Sequence, residues 1–365
     1  MTKFDYLVFL CRLLAPGGDD QTEAMTGEMR QVRNFWPELI QVAGESYMAA
    51  AMHQALVRKQ LLEEVPEDVA DYFQAVAALN GERNMALRRQ AVEVCRILNH
   101  AGIEPVLLKG MANLVSGVYD DPSMRIMNDV DILAPEEKMD EAVELMRQNG
   151  YSAMEDKLPG RHHYPPMAHP QKKGVVELHT RVAAAYDTIL SAEDMRDNSE
   201  IHKEDGARMR IPSPTFRVVH NIVHMQLSHG MNHPMYASQL LDLVHIATRY
   251  PEEVDWDFVH DRFVRGGRMG ALKVYLNMMS RLFGPPSGVR VPPARARMFF
   301  ALNLYKMAMR NNTIAKGWFL VNHYSIVLRR VTHSREARAA MARNLLRPGF
   351  YIQHLANIRG SMKGE

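Results

Sequence analysis

Cysteine is nearly absent from this 365-residue chain: only Cys11 and Cys95 occur, far apart and outside any metal-ligand spacing. That excludes a disulfide framework and fits a reduced, cytoplasmic setting. Excess charge is missing as well. A formal net charge of +2 gives no reason to expect wholesale binding to nucleic acid or to an acidic membrane. Long apolar runs are also lacking. The segment FDYLVFLCRLLA near the start is broken by Asp5 and Arg12 and is too short to span a bilayer. It also lacks the basic region and clean apolar run of a signal peptide, and reads as a core helix. There is no internal repeat and no low-complexity tract, which gives no sign of a solenoid.

The chain does hold enough apolar residues for a sizeable core, and its length allows two or three packed units. Its 26 methionines are spread over helical segments and read as adaptable core filling. From Val289 onward there are 14 Lys and Arg against two acids, so the end of the chain carries about +12. That stretch is either a solvated basic helical face or a site for an anionic partner.

Texture divides the chain into four. Residues 1–101 read as a helical N-terminal region. In NMALRRQAVEVCRILNHAG, Leu87, Ala91, Val94 and Leu98 form one helical stripe, and Gly102 is placed to end it. Residues 102–211 alternate short apolar runs with a helix. EPVLLKG, DVDIL and GVVELH read as strands, and PEEKMDEAVELMRQNG as a helix burying Met139, Ala142, Val143 and Met146. Residues 212–285 return to helical periodicity. The Pro- and Gly-rich stretch FGPPSGVRVPPARA reads as a linker into a basic helical region, 286–365. The expected class is α+β and helix-rich, a small mixed sheet flanked by helical regions.

The stretch MNDVDIL carries the chemical question. Acids are depleted from strands, yet strand alternation puts Asp129 and Asp131 on one face, with Val130 and Ile132 on the other. Two neighbouring carboxylates repel unless something positive lies between them, and a divalent cation is the usual answer. By the same alternation Glu177 shares a face with His179. Upstream, Lys109-Gly110 lies at a strand exit and helix start, where a glycine lets backbone amides approach an anion and the lysine adds a point charge. A glycine turn, a D-x-D strand and a third strand carboxylate together supply the parts of a two-metal phosphoryl-transfer site.

Taken as a pattern, LLKG…D.SMR.MNDVDIL…NGY…VVELH resembles the family described as uncharacterised nucleotidyltransferase, within the DNA polymerase-β-like superfamily. The resemblance extends over roughly residues 30–285. It continues through His229-Gly230, His233, Asp242 and Asp255-Trp256 in the order that family shows. It implies a small nucleotidyltransferase core in which Gly110 belongs to the phosphate loop. Asp129, Asp131 and Glu177 would then be the catalytic, metal-holding carboxylates for Mg²⁺ or Mn²⁺. It also implies a nucleoside triphosphate donor and an acceptor that the sequence does not name. The superfamily's Gly-Ser turn is here Lys109-Gly110-Met111, so the serine hydroxyl is missing. Lys109 and Arg125 are the cations placed to compensate.

The histidines are weighed separately. RHHYPPMAH contributes His162, His163 and His169, and ELH contributes His179, with no closed zinc spacing among them. His163, His179, His233 and Asp242 are candidates for an accessory or acceptor-side role. His220/His224 and His229/His233, each four residues apart, otherwise read as satisfied core or groove histidines. Two other functions fit the same residues: a non-catalytic nucleotide-sensing module, and a metal-dependent hydrolase that uses the His-rich loop.

Overall fold

The computed structural model describes residues 1–17, 22–32, 34–154, 163–183, 186–228, 236–285, 289 and 291. Four helices come first: α1 (Lys3–Leu14), α2 (Thr22–Gln31), α3 (Phe35–Glu45) and α4 (Ala49–Arg58). FDYLVFLCRLLA lies in α1, which starts at a reciprocal cap between Thr2 and Asp5 and buries Phe9, Leu10 and Leu13. The next helix, α5 (Glu67–Asn99), is 33 residues long, so it spans about 50 Å. Pro66 precedes it, Glu67 and Asp68 oppose its dipole, and Gly102 with φ 66° follows its end. The expected stripe of Leu87, Ala91, Val94 and Leu98 is fully buried along it.

Beyond α5 the chain builds the sheet. Its strands are β1 (Val106–Leu107), β2 (Asp129–Leu133), β3 (Ser152–Ala153), β4 (Met167–Ala168), β5 (Val175–His179), β6 (Ser199–Glu204) and β7 (Ala207–Pro212). Between them lie α6 (Lys109–Val115), α7 (Met139–Gln148) and α8 (Ala192–Asp197). The helix α7 buries the expected Met139, Ala142, Val143 and Met146. The seven strands run in the order β3-β4-β5-β2-β1-β7-β6. Two pairings, β2 with β5 and β1 with β7, are parallel, and the rest are antiparallel. The sheet is therefore mixed and the fold is helix-rich α+β.

Four of these strands were not expected. The two-residue β3 and β4 are too short to show a period. The β6–β7 hairpin turns at Asp205 and Gly206, both with positive φ, and Asp-Gly is a strong hairpin signal in a sequence.

The helices α9 (Pro214–Val223), α10 (Ala237–Arg249), α11 (Trp256–Arg265) and α12 (Met269–Phe283) follow, with a π-helical turn at His224–Ser228 after α9. The Asp255-Trp256 pair starts α11, Asp255 capping Phe258. Hydrophobic residues gather into two cores, one on each face of the central strands. Val130, Ile132, Val176, Leu178 and Leu107 pack with α5, α6 and α7. Val106, Leu108 and Leu133 share the other core with α1, α3, α4 and α9–α12. The face of β2 that carries Asp129 and Asp131 is thus the face toward the C-terminal helices.

The basic region 286–365, apart from Val289 and Val291, lies outside the described residues, as do His162, His229, Gly230 and His233. Among the described residues no helix is long and apolar enough to cross a membrane.

Candidate functional site

Strand register assembles the polar cluster. The parallel pairing of β2 with β5 sets Asp131 against Glu177 and Leu133 against His179. Aligned residues of neighbouring strands point to one face, so Asp129, Asp131, Glu177 and His179 converge. On the other side of β2, the Leu108 amide donates to the Asp131 carbonyl at 3.0 Å. This brings the β1 exit alongside the D-x-D strand. There Lys109 turns the chain into α6 with φ 49°, a left-handed conformation that costs a non-glycine residue roughly 1–2 kcal/mol. Gly110 answers a different need: a Cβ at this position would lie 2.6 Å from the Met127 sulfur. The glycine lets the turn close onto the stretch that leads into β2.

Asp131 is the centre of the cluster. Lys109 Nζ donates to its Oδ1 at 2.5 Å, and His179 Nε2 donates to the same oxygen at 2.8 Å. His179 Nε2 also lies 3.5 Å from Glu177 Oε2. One donor atom from each of Asp131, Glu177 and His179 falls within 4.8 Å of the others, the spacing of a metal-ligand group.

The two aspartates of one strand titrate in opposite directions. Burial raises the Asp131 carboxyl, but Lys109 and His179 outweigh it and hold it well below the usual carboxylate range. Asp129 is pushed up to about 6, first by burial and then by the charges of Asp131 and Glu177. The hydrogen bond from His179 lowers Glu177. His179 itself is raised: burial opposes its charge, but the hydrogen bonds to Asp131 and Glu177 prevail. Asp129 therefore sits in negative potential that Lys109 does not cancel. A bound divalent cation would relieve that potential, so the residues present fit one.

Arg125 is engaged elsewhere on the same side of the sheet. Its Nε donates to both oxygens of Asp242, at 2.8 and 3.0 Å, and Tyr119 donates to the same carboxylate at 2.8 Å. Asp242 is buried on α10, so this bond ties the loop before β2 to the C-terminal helices. Lys109, Gly110, Arg125 and Asp242 all line one cavity, together with His220 and His224 from α9 and the π turn. His163 forms a β-bridge to His179, with ring centroids 5.4 Å apart, and so borders the cluster. His169 points to other partners: its ring packs on Tyr151, and its Nδ1 accepts from the Gln171 amide.

Sequence reasoning missed the polar residues of α5. Asn84 Nδ2 donates at 2.6 Å to both the Pro122 and Arg125 carbonyls, and Asn80 Nδ2 donates to the Ser123 carbonyl at 2.7 Å. Six residues on from Asn84, Gln90 exchanges two hydrogen bonds with the backbone of Gly174, each 2.9 Å. These side chains fix the segments that enter β2 and β5. The available signal was amides falling on the apolar stripe of a helix.

The family described as uncharacterised nucleotidyltransferase matches residues 33–284. The chain belongs to this family. A search of curated proteins finds no match. Among solved structures, the antibiotic-resistance factor ANT(2'')-Ia is similar over 52% of this chain and 95% of its own. It shares 14% identity at a TM-score of 0.35, too low to carry an argument about this chain. Family membership supports nucleotidyl transfer in general terms and names neither donor nor acceptor.

Proposed function

We propose that this nucleotidyltransferase is a divalent-metal-dependent enzyme that moves a nucleoside monophosphate from a nucleoside triphosphate to an acceptor. An acceptor oxygen attacks the α-phosphorus, a new P–O bond forms, the bond to the bridging oxygen breaks, and pyrophosphate leaves. The observation that carries this reading is the register of Asp131 against Glu177 on parallel neighbours, with Asp129 on the same face. Asp129, Asp131 and Glu177 would hold Mg²⁺ or Mn²⁺, hard cations that take oxygen ligands. When bound, the metal supplies charge stabilisation for the attacking and leaving oxygens. His179 orients Asp131 through its hydrogen bond. Lys109 and Arg125 line one cavity, each held by an aspartate, and would turn positive charge toward the phosphates where a metal or substrate competes for that aspartate. Glu177 accepts the acceptor's proton or completes the metal site.

Incubating the protein with each labelled triphosphate, Mn²⁺ or Mg²⁺ and a cell extract tests this directly. One labelled product that depends on Asp129 and Asp131 is expected, and labelling by none of the triphosphates would contradict the proposal. A second reading has one observation behind it. Because His179 belongs to the donor group with Asp131 and Glu177, the site also suits zinc and metal-assisted hydrolysis. Zinc retained through purification on wild-type protein, and lost on His179→Ala, would favour hydrolysis over transfer.

A further inference from the structure

The cavity that Lys109 and Arg125 line is also lined by Arg217 of α9. Arg217 is 6% exposed. Its Nη1 donates to Ser116 Oγ at 2.6 Å and to Asn113 Oδ1 at 3.3 Å, and both acceptors are neutral. The guanidinium carbon stands 5.1 Å from the centre of the Tyr250 ring, while among the described residues the buried Nε has no hydrogen-bond partner.

The other two cations of the cavity each have a carboxylate partner, whereas Arg217 feels Glu253 only at a distance. Lys109 is answered by Asp131, and Arg125 by Asp242. Among the described residues Asp242 is the cavity's one lining carboxylate, and Arg125 and Tyr119 already engage it. Among the described residues no carboxylate forms an ion pair with Arg217. A buried cation with neutral partners and a spare donor is costly to keep, and an incoming anion offsets that cost. The planar guanidinium also matches the geometry of a tetrahedral oxyanion. The room is right in size. The cavity volume is about 50 Å³, against roughly 10–15 Å³ for one water on the same measure. That suits a group of four or five heavy atoms and is far too small for a nucleoside.

We propose that this cavity is an oxyanion subsite in which Arg217 holds a phosphate group of one reactant. The phosphate belongs either to the tail of the nucleoside triphosphate or to a phosphorylated acceptor. Its role in turnover rests on the transfer reading above, whereas the binding of phosphate does not.

The test uses the full chain, inorganic phosphate as probe, and titration calorimetry on wild type, Arg217→Met and Arg217→Lys. Wild type binds phosphate, Arg217→Met weakens it at least about tenfold, and Arg217→Lys falls between. Methionine removes the buried charge at similar length, so the unliganded melting temperature of that variant holds or rises. Should Arg217→Met not fold, Arg217→Lys alone carries the comparison. Equal phosphate affinity in wild type and variants, or none in wild type, overturns the subsite. A non-hydrolysable triphosphate then separates the two sources. Parallel loss of triphosphate affinity assigns the site to the donor's tail. Unchanged triphosphate affinity, with phosphate still binding beside it, assigns the site to the acceptor. Because no arm needs turnover, absent transfer activity would remove the enzymatic reading and leave the subsite standing.

Discussion

Asp129 and Asp131 are two residues apart, and the fold gives them opposite surroundings. Asp131 is braced by Lys109 and His179, so Asp131→Asn leaves a largely buried ammonium without its partner. We expect it to abolish turnover and to cost up to about 3 kcal/mol in chemical denaturation, the low end for breaking a buried pair because Lys109 keeps some contact with water. Asp129→Asn removes a charge that its surroundings oppose. It also abolishes turnover, but in metal-free buffer at neutral pH its melting temperature matches or exceeds that of wild type. A fall of several degrees would show that Asp129 is satisfied without metal.

The sign of the pH dependence follows from the same group. The folded pKa of Asp129 is raised to about 6. Its contribution to stability is thus complete below the unfolded value near 4 and lost as pH rises through about 6. Cation binding runs the other way, since the ligand must be ionised. Calorimetry with Mn²⁺ is expected to show weak binding at pH 5 and stronger binding, with less proton release, at pH 7.5. A pH-independent affinity would remove Asp129 from the metal set. The D-x-D pattern was legible at this scale because alternation alone puts both acids on one face. The divergence between them was not. It comes from Lys109 and His179, brought in by pairings across 22 and 48 positions of sequence.

Among the elements, β2 and α7 were legible because their apolar spacing is regular, and the structure gives β2 the bounds that DVDIL suggests. The hairpin of β6 and β7 escaped because no residue of β6 is buried and Arg208 and Arg210 interrupt the apolar residues of β7, which masks the alternation even though Asp-Gly marks the turn. The helix α5 reads as a simple amphipathic scaffold, but its amides hold the entries to both carboxylate strands. Asn84→Ala leaves the Pro122 and Arg125 carbonyls without their shared donor, and about 1–3 kcal/mol of stability is expected to be lost. If Asn84 positions the site through that segment, kcat falls while the affinity for the triphosphate changes little. A kcat equal to wild type at a temperature where both are folded would reduce it to a structural residue. Ile132→Ala is the control: its side chain is fully buried on the opposite face of β2. It should lose about 2–5 kcal/mol and keep its kcat while folded.

For the whole molecule, the mixed sheet with helices before and after it followed from the change of texture along the chain. The cavity did not, because it is built from β1, α6, α9 and α10, and nothing local says that Asp242 will meet Arg125 across 117 positions of sequence. We propose that the helices of 212–285 wall the cleft that opens over the carboxylate face. Asp242→Asn is then expected to free Arg125 and to raise the KM for the acceptor more than it lowers the affinity for the triphosphate. The central claim is transfer of the α-phosphoryl group with its nucleoside. It is tested most directly by comparing the same triphosphate labelled at the α- or the γ-phosphorus, with Mn²⁺, an acceptor-containing extract, wild type and Asp129→Asn. The account predicts that α-label enters a product with wild type only and that γ-label leaves as pyrophosphate. Label entering the product from the γ-position, or equal labelling by wild type and Asp129→Asn, would contradict it.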